Sequence, residues 1–144
     1  MKYYAVIDTN VIVSSLLKHN SVPGRIFDLV LAKQIIPILN EEILNEYCEV
    51  LTRNEFGFSE NEINKTIEDI KENGLILKRK QALEDFIDKD DIVFYEIVMS
   101  ARTTMDAYLI TGNIKHYPIR NYVVTPREML NIIEENITNK KSGA

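Results

Sequence analysis

The residues best placed to do chemistry are carboxylates in settings that make a bare negative charge costly. Asp8 breaks the apolar run from Ala5 to Val13, with Thr9 and Asn10 directly after it. A carboxylate flanked by core-forming residues needs a partner. Residues 88–91 read Asp-Lys-Asp-Asp, ahead of a segment in which Ile92, Val93, Phe94, Tyr95, Ile97 and Val98 are apolar nearly all round. One Asp there is an ordinary cap, favoured by the helix dipole. Three crowded carboxylates need more explanation, because a pair about 4 Å apart repels by about 4 kcal/mol in an effective dielectric near 20. A divalent cation would turn that repulsion into ligation by hard oxygen donors.

Glu46 adds a carboxylate from another part of the chain. Between Asn40 and Arg53, Ile43, Leu44, Tyr47, Val50 and Leu51 recur at helical spacing. At about 100° per residue, Glu46 falls about 40° from Val50, beside the apolar arc. Glu42 and Glu49 lie farther toward solvent, and Glu41 borders the opposite edge. An ordinary boundary carboxylate would occupy the Glu46 position equally well. The same holds for Asp8 as a plain helix cap and for Asn113 as a turn residue.

The elements that must carry these groups alternate. Tyr3–Ile7 is β-branched and aromatic and predicts a buried strand. Helices follow over residues 11–18 and over 23–33, the second entered through Pro23. Residues 34–39 predict a strand in which Pro37 limits pairing on one side, as at an edge or a bulge. Asn40 caps the helix that carries Glu46. Ser59 and Glu62 form a capping box for a helix stopped by Gly74. Residues 75–80 predict a third strand, 88–101 a helix, 107–113 and 122–125 two more strands, and 126–137 a closing helix started by Pro126. Strands separated by helices predict an α/β fold with a mostly parallel sheet and helices on both faces. Ligands of such sheets gather at the carboxyl ends of the strands, where strand order switches. Asp8 ends the first strand and Asn113 the fourth, so the two converge on one crevice if those strands are neighbours.

Length and composition frame the rest. At 144 residues, 45% hydrophobic, the chain predicts one domain over residues 1–137, with a polar, frayed tail over 138–144. Cys48 is the single cysteine and excludes an internal disulfide. The formal net charge of -5 argues against a broad basic surface for nucleic acid, although a local metal-assisted site is compatible with it. Apolar runs fall short of the roughly 20 residues that span a bilayer, and the N-terminus lacks the order of a signal peptide. A cytoplasmic protein without membrane partners is expected.

Five segments, taken in order, carry a resemblance: VIDTNVIVSSLL from Val6, LNEEILNEYCEVLTRNEF from Leu39, DKDDIVFYEIVMSA from Asp88, DAYLITGNIKHYP from Asp106 and VVTPREML from Val123. Together they resemble the PIN-domain family, in particular its bacterial toxin-like group. The resemblance implies a three-layer α/β/α sandwich around a short parallel sheet and an Mg²⁺- or Mn²⁺-dependent ribonuclease. It further implies an RNA substrate, often the role of toxin with a protein antitoxin as partner, and dimers as a common state. Mapped residue by residue, the acids are Asp8, with Asn10 beside it, Glu46 and Asp91. The fourth position, commonly Asp after the Thr of strand four, is Asn113. On that mapping Asp8 and Asp91 are direct ligands, and Glu46 is a ligand or orients the attacking water. Asn113 completes the shell through its carbonyl oxygen and brings no charge, which leaves less to hold a second cation. Thr9, Asn10 and Thr111 are donors that orient carboxylates or make turn and cap hydrogen bonds. Asp90 supports or replaces Asp91, and Glu96 reaches the site or pairs inside the protein. Two other functions stay open: a noncatalytic PIN-like module that binds RNA or an antitoxin, and a phosphoryl-receiver domain with Asp8 as acceptor. The receiver reading lacks the second Asp it needs, since position 10 is Asn.

Overall fold

A computed structural model describes residues 2–77 and 92–142, with side chains described through residue 138. The described residues form five strands and six α-helices. These are β1 (Tyr3–Ile7), α1 (Thr9–Leu17), α2 (Val22–Leu31), β2 (Ile35–Leu39), α3 (Glu41–Leu51), α4 (Glu60–Asn73), β3 (Leu75–Ile76), α5 (Ile92–Ala101), β4 (Ala107–Ile110), β5 (Val123–Val124) and α6 (Pro126–Ser142). A turn of 3₁₀ helix, Ile114–His116, follows β4.

The strands form one parallel sheet in the order β3-β2-β1-β4-β5. The chain moves outward from β1 to β2 and β3, then returns to the other side of β1 to lay down β4 and β5. Right-handed crossovers made in opposite directions put their helices on opposite faces. Accordingly α2 and α4 pack against β2 and against each other, while α5 packs against β1, β2 and β4. The α/β architecture read from the alternating pattern is therefore the observed one. Strand order reverses between β1 and β4, which pair from Tyr4 with Ala107 to Ile7 with Ile110.

The central strand is apolar on both faces because helices cover both: Ala5, Val6 and Ile7 are all essentially solvent-free. Helix α5 is likewise enclosed, with Val93, Phe94, Tyr95, Glu96, Ile97 and Val98 buried. The polar boundary signals act as written in the sequence. Asn40 Oδ1 accepts from the Ile43 N–H at 2.8 Å, and Ser59 with Glu62 forms a reciprocal capping box.

Three expectations need correction. The strand containing Pro37 is internal, paired to β1 on one side and β3 on the other. Pro37 is tolerated because β3 joins only at Ile38 and Leu39, so the level of Pro37 has a strand neighbour on the β1 side alone. The third strand is short, Leu75–Ile76, and the rest of the expected stretch, 78–80, lies outside the described residues. Helix α6 continues past Ile137 to Ser142, a stretch that contains neither the Pro nor the Gly that would stop it.

Candidate active site

Asp8 is the residue directly after β1, and its backbone N–H still belongs to the sheet, donating to the Ile110 carbonyl of β4 at 2.9 Å. The side chain is 4% exposed. Asp8 stands at the N-cap of α1, yet its carboxylate makes no capping hydrogen bond to the helix. It turns toward β4 instead. Oδ2 accepts from the Thr111 hydroxyl at 2.7 Å and from the Tyr117 hydroxyl at 3.0 Å. Both side-chain donors converge on that one oxygen.

The residues after β4 make this grip possible. Thr111 is fully buried, and its backbone N–H donates to Val124 of β5 at 2.9 Å. Its hydroxyl serves twice, donating to Asp8 and accepting from the Asn113 N–H at 3.0 Å. Asn10 Oδ1 accepts from the Gly112 N–H at 2.9 Å, tying the start of α1 to the turn after β4. A Cβ on Gly112 would lie 3.1 Å from that Asn10 oxygen, so the small residue allows the close approach. Tyr117 takes the extended backbone favoured before Pro118, which carries the chain out of the 3₁₀ turn while its ring returns to the carboxylate.

Electrostatics follow from burial. Desolvation pushes the Asp8 carboxyl above its ordinary value of 3.8, against the opposing pull of the Thr111 and Tyr117 hydrogen bonds and the nearby backbone of Asn10 and Thr9. Tyr47, fully buried on α3, donates to the carbonyl of Ile7. Burial first, and the negative charge of Asp8 second, push its phenol far above the ordinary range, so it remains a neutral donor. This hydrogen bond anchors α3 beside the end of β1 and sets Glu46, the neighbouring residue, half-buried on that helix. Arg53 is engaged with Glu49 at 2.9 Å, and Glu46 also contributes to its field.

The structure thus brings Asp8, Asn10, Thr111 and Asn113 together at the β1–β4 edge, the first three with their side chains in the network and Asn113 through its backbone N–H. Thr9 is buried, but its hydroxyl has no hydrogen-bond partner among the described residues, so it does not orient the carboxylate. Glu96 is 4% exposed within α5. Asp90 and Asp91 lie outside the described residues; in sequence Asp91 directly precedes α5. A crossover helix runs antiparallel to the strands it connects, so the start of α5 belongs to the sheet edge where β1 and β4 end. Among the described residues, no group of three or more His, Cys, Asp or Glu is gathered to hold a metal ion.

Sequence reasoning passed over Tyr117 and Tyr47. Each joins residues distant in sequence, and a tyrosine in an apolar setting reads as core. The one signal available was Tyr before Pro directly after a predicted catalytic turn.

Residues 4–115 match the family model described as PIN domain. The chain is also 28% identical over 153 aligned positions to MJ1680 of Methanocaldococcus jannaschii, described as an uncharacterized protein, with 96% of each chain covered.

Proposed function

The chain belongs to the PIN-domain family, and from that premise we propose that it is an Mg²⁺- or Mn²⁺-dependent endoribonuclease, the toxin of a toxin–antitoxin pair. PIN domains are nucleases in general, act on RNA and typically use divalent metal ions. The observation that carries the reading is Asp8: a buried carboxylate at the strand-order switch, held through Oδ2 by two hydroxyls. Hard oxygen donors of this kind fit Mg²⁺ or Mn²⁺. Asp8, Glu46 and Asp91 would hold the ion, with the Asn113 side chain completing the shell.

Such an ion would supply positive charge against the phosphate and lower the pKa of a water so that hydroxide is available as nucleophile near neutral pH. The chain's own residues supply position. Thr111 and Tyr117 fix the plane of the Asp8 carboxylate, and Asn10 fixes the turn that bears Asn113. Glu46, on a helix anchored by Tyr47, orients the attacking water or adds a ligand. An antitoxin and a second copy of the chain are the partners proposed with this role. Among the described residues no helix is long and apolar enough to cross a membrane. We propose a cytoplasmic protein, a reading that the lone Cys48 fits.

The test is cleavage of structured and single-stranded RNAs with Mg²⁺, Mn²⁺ or EDTA. Metal-dependent cleavage should fall by roughly 100-fold or more in Asp8→Asn and in Asp91→Asn. Undiminished cleavage by Asp8→Asn would remove the proposed site. RNA binding without cleavage by the wild type would favour the noncatalytic module, the reading that the uncharged Asn113 supports. Induced expression should arrest growth, and Asp8→Asn should relieve the arrest.

A further inference from the structure

The Asp8 carboxylate is held unevenly. Thr111 and Tyr117 both direct their hydroxyls at Oδ2, at 2.7 Å and 3.0 Å. In its ionised form the carboxylate has no proton to give, so both hydroxyls donate to it, and two donors match the two lone-pair sites of one oxygen. Oδ2 is thereby filled.

Neither donor leaves without loss. The Thr111 hydroxyl accepts from the Asn113 N–H at 3.0 Å, which directs its own proton to Asp8, and the Thr111 backbone N–H is fixed to Val124 of β5. Thr111 is fully buried and Tyr117 is 5% exposed. A hydroxyl turned off Oδ2 in such surroundings gives up an ionic acceptor with little water to replace it. The donors also stand at the two ends of one segment: Thr111 precedes Asn113, and Tyr117 follows the 3₁₀ turn. The hold on Oδ2 is thus set by the path of the chain after β4.

We propose that Thr111 and Tyr117 select the cation: by filling Oδ2 they leave Asp8 at most one oxygen for ligation, which favours Mg²⁺ or Mn²⁺ over Ca²⁺. The proposal rests on the reading of the chain as a metal-dependent nuclease and adds the residues that choose the metal. Ca²⁺ takes six to eight oxygens at about 2.3–2.6 Å and commonly gathers them by holding both oxygens of a carboxylate. At Asp8 that requires a hydroxyl to be expelled from Oδ2. Mg²⁺ and Mn²⁺ prefer a six-oxygen octahedral shell, and Mg²⁺ fills it with single carboxylate oxygens and retained waters. Tyr117 is a positioning residue here, since it acts through Asp8.

The experiment is Mn²⁺ binding to the metal-free protein, read from the loss of the free-ion electron paramagnetic resonance signal, with Mg²⁺ and Ca²⁺ as separate competitors. RNA cleavage is assayed alongside. In the wild type Mg²⁺ should displace Mn²⁺ at lower concentration than Ca²⁺ does. Tyr117→Phe, which keeps the ring and removes the hydroxyl, should shift the ratio of the two competition constants toward Ca²⁺ by about tenfold. A purely structural loss would weaken both competitors alike and hold the ratio. An unchanged ratio in Tyr117→Phe, with a wild type that binds Mn²⁺ and cleaves RNA, would overturn the selection and leave the nuclease standing. Ca²⁺ competing as well as Mg²⁺ in the wild type would overturn it too. Mn²⁺ binding undiminished in Asp8→Asn, or a wild type that neither binds Mn²⁺ nor cleaves RNA, would remove the metal site and this proposal together.

Discussion

A carboxylate that is 4% exposed stays ionised only against the desolvation that pushes its pKa up from 3.8. Thr111 and Tyr117 offset part of that cost through Oδ2. The sign of the pH dependence follows. Because the folded pKa lies above the unfolded one, the folded state holds more protons between the two values. The Asp8 contribution to stability is therefore full below 3.8 and is lost as pH rises through the elevated folded pKa. In EDTA at neutral pH, Asp8→Asn should be more stable than wild type by about 1 kcal/mol while losing activity, a trade between stability and function. The gap in melting temperature should shrink on acidification into the range of the ordinary carboxylate. A gap constant with pH would show that ionisation of Asp8 is not its source.

At the scale of elements, the site depends on how helix starts are held. Helix α3 carries both Glu46 and Tyr47, and its first turn is closed by the Asn40 side chain, which is itself buried. Asn40→Ala should cost about 1 kcal/mol, and Asn40→Asp should restore most of it. Thermal melts of the two variants check this; equal melting of Asn40→Ala and wild type would mean that packing alone holds the helix. The capping signals were legible because they are local: donor and acceptor sit three residues apart in both Asn40–Ile43 and Ser59–Glu62. The position of β2 was less legible. Pro37 carries a rule about strand neighbours, but whether a neighbour reaches that level depends on the length of β3, which the Pro37 segment does not encode.

At the scale of the whole molecule, the reversal of winding at β1 makes a crevice from segments about a hundred residues apart in sequence, as in the Thr111 and Tyr117 bonds to Asp8. A cation bound there binds only the folded chain and so stabilises it by linkage, about 2.7 kcal/mol at 100 times its Kd. Mn²⁺ should raise the melting temperature of the wild type by roughly 10 °C, reversibly with EDTA. The same addition should leave Asp8→Asn nearly unmoved. An equal rise in both proteins would place the ion elsewhere.

The alternation of strands and helices, the helix caps and the burden on Asp8 were all legible in the chain, because each depends on residue type and on spacing within a few positions. A charge in a buried strand end demands a partner wherever the chain goes. Which partners answer that demand was a tertiary decision. Only the pairing of β1 with β4 sets Thr111 beside Asp8, and only the turn after β4 returns the Tyr117 hydroxyl to the same oxygen. Tyr117 is polar at its tip and apolar over its ring, so its sequence context reads as core, and its role emerges only where the fold returns its hydroxyl to Asp8.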